Sequence, residues 1–239
     1  MHPRQRKFIA AVTLGATIAV PGLSLGALID RGGGLIYDTD LDITWLADAN
    51  YAATSGYDAD GMMTYSEANA WVNQLSFGGF DDWRLPFNPQ LDASCSLTRN
   101  VNGITLNAGF DCQGSEYGHL FYSELGGTTG SPITDSTDPD VALFSNIMTY
   151  VPSTLGALGE YWAAAAVYWS PDLQSNYTIY HHFHFSDGYQ RDFDPTIAMH
   201  AMAVRDGDVA AVVPVPGAVW LFMSGLMGLM GAAKRKTAV

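Results

Sequence analysis

The sequence predicts an α+β domain, two helices followed by antiparallel strands, set between an N-terminal signal peptide and a C-terminal transmembrane helix. Three observations carry this expectation. Helix-period apolar stripes occur twice, both before residue 128. From Tyr161 onward, short apolar runs alternate with turn signals. Both termini combine an uncharged apolar run with a basic cluster.

The elements follow in order. Residues 1–27 read as a secretory signal peptide: a basic start (Arg4, Arg6, Lys7), an apolar stretch with a proline in it, and small residues Gly26 and Ala27 at the cleavage point. Residues 35–46 alternate, with Tyr37, Thr39, Leu41, Ile43 and Trp45 opposite Asp38, Asp40 and Asp42, which predicts one strand with a wet acidic face. A helix is expected over 64–79, capped by Thr64 and Glu67, striped by Tyr65, Ala68, Val72 and Leu75, and stopped at Gly78-Gly79. Residues 80–86 form a short extended piece closed by Pro86, and the loop after it carries Cys95 and Cys112. A second helix is expected over 114–127, capped by Ser115 with Tyr117, Leu120, Phe121 and Leu125 on one stripe. The remaining segments read as hairpins, one turning at Asp187-Gly188.

Charge is distributed unevenly. Six of the 11 basic residues sit at the termini, whereas all 24 acidic residues lie between Asp30 and Asp208, so the central region carries five arginines against 24 carboxylates, a net of −19. Such a surface repels nucleic acid and anionic headgroups. It suits solubility in an extracellular medium or cation binding. An exported chain with two cysteines, 17 positions apart, is expected to join them in a disulfide, and two cysteines alone cannot build a zinc cage.

Candidate ligand residues fall in two groups. Asp38, Asp40 and Asp42, with Asp58 and Asp60 in a nearby loop, offer the hard oxygens that calcium takes, and calcium is the one cofactor the residue types suggest. His182 and His184 form an H-x-H pair that on a strand points two imidazoles the same way, as zinc requires; a third ligand would come from His119, His200 or an aspartate. The alternation His–Phe–His–Phe is equally what an exposed face over a buried face produces. Catalytic signatures (G-x-S-x-G, H-E-x-x-H, P-loop, G-x-G-x-x-G) are absent, and the adjacent Asp81 and Asp82 face opposite ways on an extended chain. Asn176 begins an N-Y-T glycosylation sequon.

At the C-terminus, residues 217–233 contain no charge, enough for about 25 Å of helix, the short end of a bilayer span. Lys234, Arg235 and Lys236 follow and would stay cytoplasmic, giving a type I single-pass orientation in the inner membrane. Val213-Pro214-Val215-Pro216 within the 209–216 linker, the apolar helix and the basic tail 234–239 together resemble a PEP-CTERM sorting signal, with Val215 where that family carries glutamate. The resemblance implies an exosortase-type processing enzyme as partner, with Val213, Pro214, Pro216, Lys234, Arg235 and Lys236 as the recognised features, and a destination in the cell envelope or exopolysaccharide matrix.

Residues 28–208 resemble the Lcl C-terminal-like domain through "GLIYDTDLDITWLADAN", "GGFDDWRLP", "GSEYGHLFYSELGG", "FHFSDGYQ" and "AMAVRDGD". That resemblance implies a C-type-lectin-like fold, a glycan or envelope-protein ligand and no catalytic residues. The expected function is therefore a non-catalytic, surface-sorted binding module. The alternatives are a lectin-fold enzyme related to formylglycine-generating proteins, which would need reactive thiols at Cys95 and Cys112, or a structural matrix protein without a specific ligand.

Overall fold

The computed structural model describes residues 28–149 and 159–209. The expected signal peptide, the 213–216 motif, the helix expected over 217–233 and the basic tail lie outside these residues. Among the described residues, no helix is long and apolar enough to cross a membrane. The architecture is a β-rich form of α+β in which every strand pair is antiparallel and helices are few and short.

Strands β1 (Leu28–Gly32), β2 (Leu35–Asp38) and β3 (Ile43–Leu46) form a meander that opens the domain. The expected single strand over 35–46 is thus a hairpin, and its acidic run is the turn. Asp38 Oδ1 accepts from the N–H groups of Asp40 and Leu41, and Asp42 takes a left-handed φ of 53°. Aspartate side chains offer the backbone this alternative to a ladder. The expected wet face is also missing, because this sheet is covered on both sides. Ile36, Ile43 and Trp45 enter one apolar cluster, and Leu35 and Leu46 enter the other. A strand buried on both faces loses the period-two signature.

Past the short helix α1 (Tyr51–Thr54), α2 (Tyr65–Gln74) begins with the expected capping box between Thr64 and Glu67. It buries Ala68, Trp71 and Val72 and ends at Leu75, whose extended ψ of 125° breaks the helix before the two glycines. Gly78 and Gly79 instead form a left-handed turn that bridges Phe77 to Phe80. The cysteine loop holds a hairpin of its own, β4 (Leu97–Val101) and β5 (Ile104–Ala108), turning at Asn102-Gly103 with φ of 52° and 78°. The disulfide between Cys95 and Cys112 closes its base.

The second predicted helix begins as α3 (Glu116–Gly118), with the Ser115 side chain accepting from Gly118 N–H, and widens into a π-helical stretch over His119–Glu124. The extra residue per turn brings Leu120, Phe121, Glu124 and Leu125 all inward. Later come β6 (Glu160–Trp162), β7 (Ala166–Ser170), β8 (Ser175–Ile179), β9 (His181–His184), β10 (Gln190–Asp192) and β11 (Val204–Asp206). Strand β11 pairs with β3, so the first sheet runs β1-β2-β3-β11 and joins the two ends of the domain, with Arg31 and Asp208 forming a two-bond ion pair at its rim. A second sheet runs β10-β9-β6, and β7-β8 is a separate hairpin.

Candidate functional site

The second sheet is built around the histidine strand. Phe183 points into the aromatic core, stacked on Tyr117 at 5.9 Å and tilted against Phe121 at 5.6 Å. The strand period then sends His182 and His184 to the opposite face. Register places Trp162 and Glu160 of β6 directly beside them. His184 Nε2 lies 2.9 Å from His182 Nε2 and 3.2 Å from Glu160 Oε1. On its other side, His184 Nδ1 faces Asp187 Oδ1 at 3.4 Å. Exposure is 6 % for Glu160, 1 % for His182 and 6 % for His184, so both faces of this strand are covered, which the simple exposed-over-buried alternation does not describe.

Burial dominates the electrostatics here. It pushes the His182 pKa well below the ordinary histidine value, with His184 adding to the effect. Burial also pulls on His184, but the Asp187 and Glu160 carboxylates outweigh it and raise that ring's pKa. For Asp187, burial works upward and the His184 contact downward, and the contact wins. His181, on the other face beside Asp192, is pushed down to about 4 by burial.

The expected third zinc ligands lie elsewhere. His119 bonds Glu124 at 2.9 Å in a second buried group with Asp38. His200 donates its backbone N–H to Glu160 O, but its ring lies against Tyr161 at 5.5 Å. Glu160 takes the third place beside the H-x-H pair. No local pattern in the sequence marks it, because only the β6–β9 register brings it 24 positions across to His184.

The five expected calcium residues do not gather. Asp38 is fully buried and bonded within its own turn and to Trp45 Nε1, and burial raises its pKa. Asp42 accepts from the Tyr37 hydroxyl. Asp58 accepts from Asp60 N–H and Gly61 N–H, and Asp60 from Met62 N–H, in a loop of their own. Among the described residues, the groups of metal-ligating type are Glu160–His182–His184, Asp38–His119–Glu124 and Asp92–Cys95–Cys112. In the last, both sulfurs are committed to the disulfide.

A cleft of about 680 Å³ borders the second sheet, lined by Tyr177, Tyr180, Arg191, Asp192, Phe193 and Asp194 among others. One of its walls is also the cover of the histidine cluster, since the Phe193 ring packs edge-on against His182 at 5.2 Å. The Arg191 guanidinium lies over Phe193 at 4.9 Å. Among the described residues, Arg31, Arg84, Arg99 and Arg205 each pair with a carboxylate, whereas Arg191 has no carboxylate within salt-bridge distance. The adjoining β7–β8 hairpin presents Trp169 at 63 % exposure, opposite the exposed Asn176 of the sequon. Aromatic faces beside a guanidinium and carboxylates suit a ligand with both apolar and hydroxyl surfaces.

Comparison with protein-family models, with curated proteins and with solved structures finds no match for this chain.

Proposed function

We propose that this chain is an exported, exosortase-sorted envelope or matrix protein whose C-type-lectin-like domain binds a glycan in the cleft between β8 and the segment Arg191–Pro195. The cleft carries the reading. Tyr177, Tyr180 and Phe193 supply rings on which the apolar face of a sugar can stack, while Arg191, Asp192 and Asp194 supply the polar contacts that fix orientation. Four of the five described arginines are used in internal ion pairs, and the one that is not lies in the cleft.

Other features support the same reading. The N-terminal signal-peptide pattern and the PEP-CTERM-like tail point to export and sorting. The Cys95–Cys112 disulfide fits an oxidising compartment and removes both thiols that the formylglycine-type enzymatic alternative would need. The net charge of −19 over the domain leaves polyanions and nucleic acid as poor ligands and favours neutral polysaccharide.

A glycan array probed with the purified domain, with and without calcium, tests this reading. Retention of a neutral or sparsely charged glycan is expected, and Arg191→Gln is expected to weaken it about tenfold, the loss of one charge-assisted hydrogen bond. No retained glycan under either condition, or equal retention by the variant, overturns it. Intact-mass measurement on protein from its host tests sorting: loss of both termini is expected, and a mass retaining residues 217–239 refutes processing.

A further inference from the structure

The cluster beneath the cleft wall brings together more lone pairs than one hydrogen can serve. Three atoms face one another: His182 Nε2, His184 Nε2 and Glu160 Oε1. Each brings a lone pair unless it carries a hydrogen. A single N–H on His184 Nε2 can be directed at His182 or at Glu160, but not well at both. Glu160 Oε2, His182 Nδ1 and His184 Nδ1 are buried and have no hydrogen-bond partner among the described residues. A buried, half-satisfied polar group is destabilising, and here several sit together.

A cation satisfies all three lone pairs at once. Ligand atoms bound at about 2.0–2.1 Å in a tetrahedral shell lie roughly 3.3 Å apart. The observed separations from His184 Nε2 are 2.9 Å and 3.2 Å. The support around the cluster is also of metal-site type. Asp187, anchored by Tyr189 N–H in the turn after β9, places its carboxylate 3.4 Å from His184 Nδ1, on the side of the ring away from Nε2. Rings of Trp162 and Phe193 cover His182, and Tyr189 covers His184.

We propose that Glu160, His182 and His184 bind one divalent cation of the borderline first-row class, represented by zinc, with Asp187 as the positioning residue for His184. Two imidazoles and one carboxylate select such an ion over calcium, whose ligands are oxygens. The site is structural: it ties β6 to β9 behind the Phe193 wall of the cleft, and it is distinct from the oxygen-rich calcium site expected from the aspartates. The competing arrangement is a buried imidazolium at His184 held between Glu160 and Asp187, with no ion.

The test uses the full chain, stripped with a chelator and titrated with Zn²⁺ and Co²⁺ by calorimetry and visible absorption. One equivalent of each is expected to bind, with cobalt bands of a four-coordinate nitrogen–oxygen site. His182→Asn and His184→Asn are expected to abolish binding. Asp187→Asn should weaken it about 10–100-fold, the usual effect of removing a carboxylate behind a ligating histidine. His119→Asn, in the separate Asp38–His119–Glu124 group, should leave the equivalent intact. Failure of the native chain to bind either ion saturably at one equivalent overturns the proposal and supports the imidazolium. Binding that survives His184→Asn, or that His119→Asn removes, overturns it as well. Near-UV circular dichroism confirms that each variant is folded; should His184→Asn unfold, the native titration and Asp187→Asn still decide the matter.

Discussion

The two larger sheets of this domain solve the same packing problem with opposite chemistry. The first, β1-β2-β3-β11, is filled on both faces by Leu35, Ile36, Ile43, Trp45, Leu46 and Val204, and apart from Asp38, buried at the β2–β3 turn, it keeps its charges at the rim in pairs such as Arg31–Asp208 and Arg205–Asp82. The second, β10-β9-β6, spends buried positions on Glu160, His181, His182, His184 and Gln190. Apolar burial is favourable without further help, whereas every buried polar group requires a partner. The first sheet therefore explains why the chain folds. The polar investment of the second is not explained by stability, and it lies against the cleft.

The largest expected effect breaks the first sheet. Trp45→Ala removes a fully buried ring in contact with Tyr117, and it should cost about 3–5 kcal/mol in denaturant-measured stability. The second sheet should answer differently to truncation and to replacement. Glu160→Leu alone leaves the buried histidines without their carboxylate and should cost about 3 kcal/mol. The triple variant Glu160→Leu, His182→Phe, His184→Leu should be more stable than that single one, because no unpaired polar group remains. A triple variant less stable than the single one would show that the polar cluster is itself a stabilising core.

The domain should also lose stability at both ends of the pH scale. His181 is held neutral, its pKa lowered from 6.5 to about 4 by burial, with only Asp192 pulling the other way. Between those values the unfolded chain binds a proton that the folded chain does not. Stability is thus whole above about pH 6.5 and falls, by about 2–3 kcal/mol, as pH drops toward 4. Tyr117, among the rings packed on Trp45, has its hydroxyl pKa raised well above 10.0 by burial. There the unfolded chain ionises first, so stability is whole below pH 10 and falls above it. Urea midpoints across pH 4–11 should show both limbs, and His181→Phe should reduce the acid limb, leaving the part that His182 contributes, without changing the alkaline one. The smallest effect belongs to the rim of the first sheet. Asp82→Asn breaks a half-exposed pair with Arg205 and should cost no more than about 1 kcal/mol, shrinking further in salt.

Legibility followed the range of the interaction. The Thr64–Glu67 capping box, the Ser115 cap and the Asp187-Gly188 turn are short-range devices, and each is where the pattern placed it. The Asn102-Gly103 pair carries the same kind of hairpin signal inside what otherwise reads as a cysteine loop. Alternation misled at 35–46, since it assumes a sheet with one wet face. The aspartates there carry turn chemistry. Of the candidate ligands, the H-x-H pair was legible as a pair because both members sit on one strand face. Glu160 and Asp187 were not, as neither occupies a metal-ligand spacing.

By itself the sequence determined the acidic character of the domain, its α+β class, its capped helix and the pairing of its two cysteines, because each depends on composition or on residues close along the chain. Tertiary structure alone decided that the first sheet is covered on both faces, that Glu160 meets His182 and His184, and that Arg191 comes to line the cleft unpaired. Those outcomes depend on strand register and on which distant surfaces are pressed together, and no local pattern of residues encodes either.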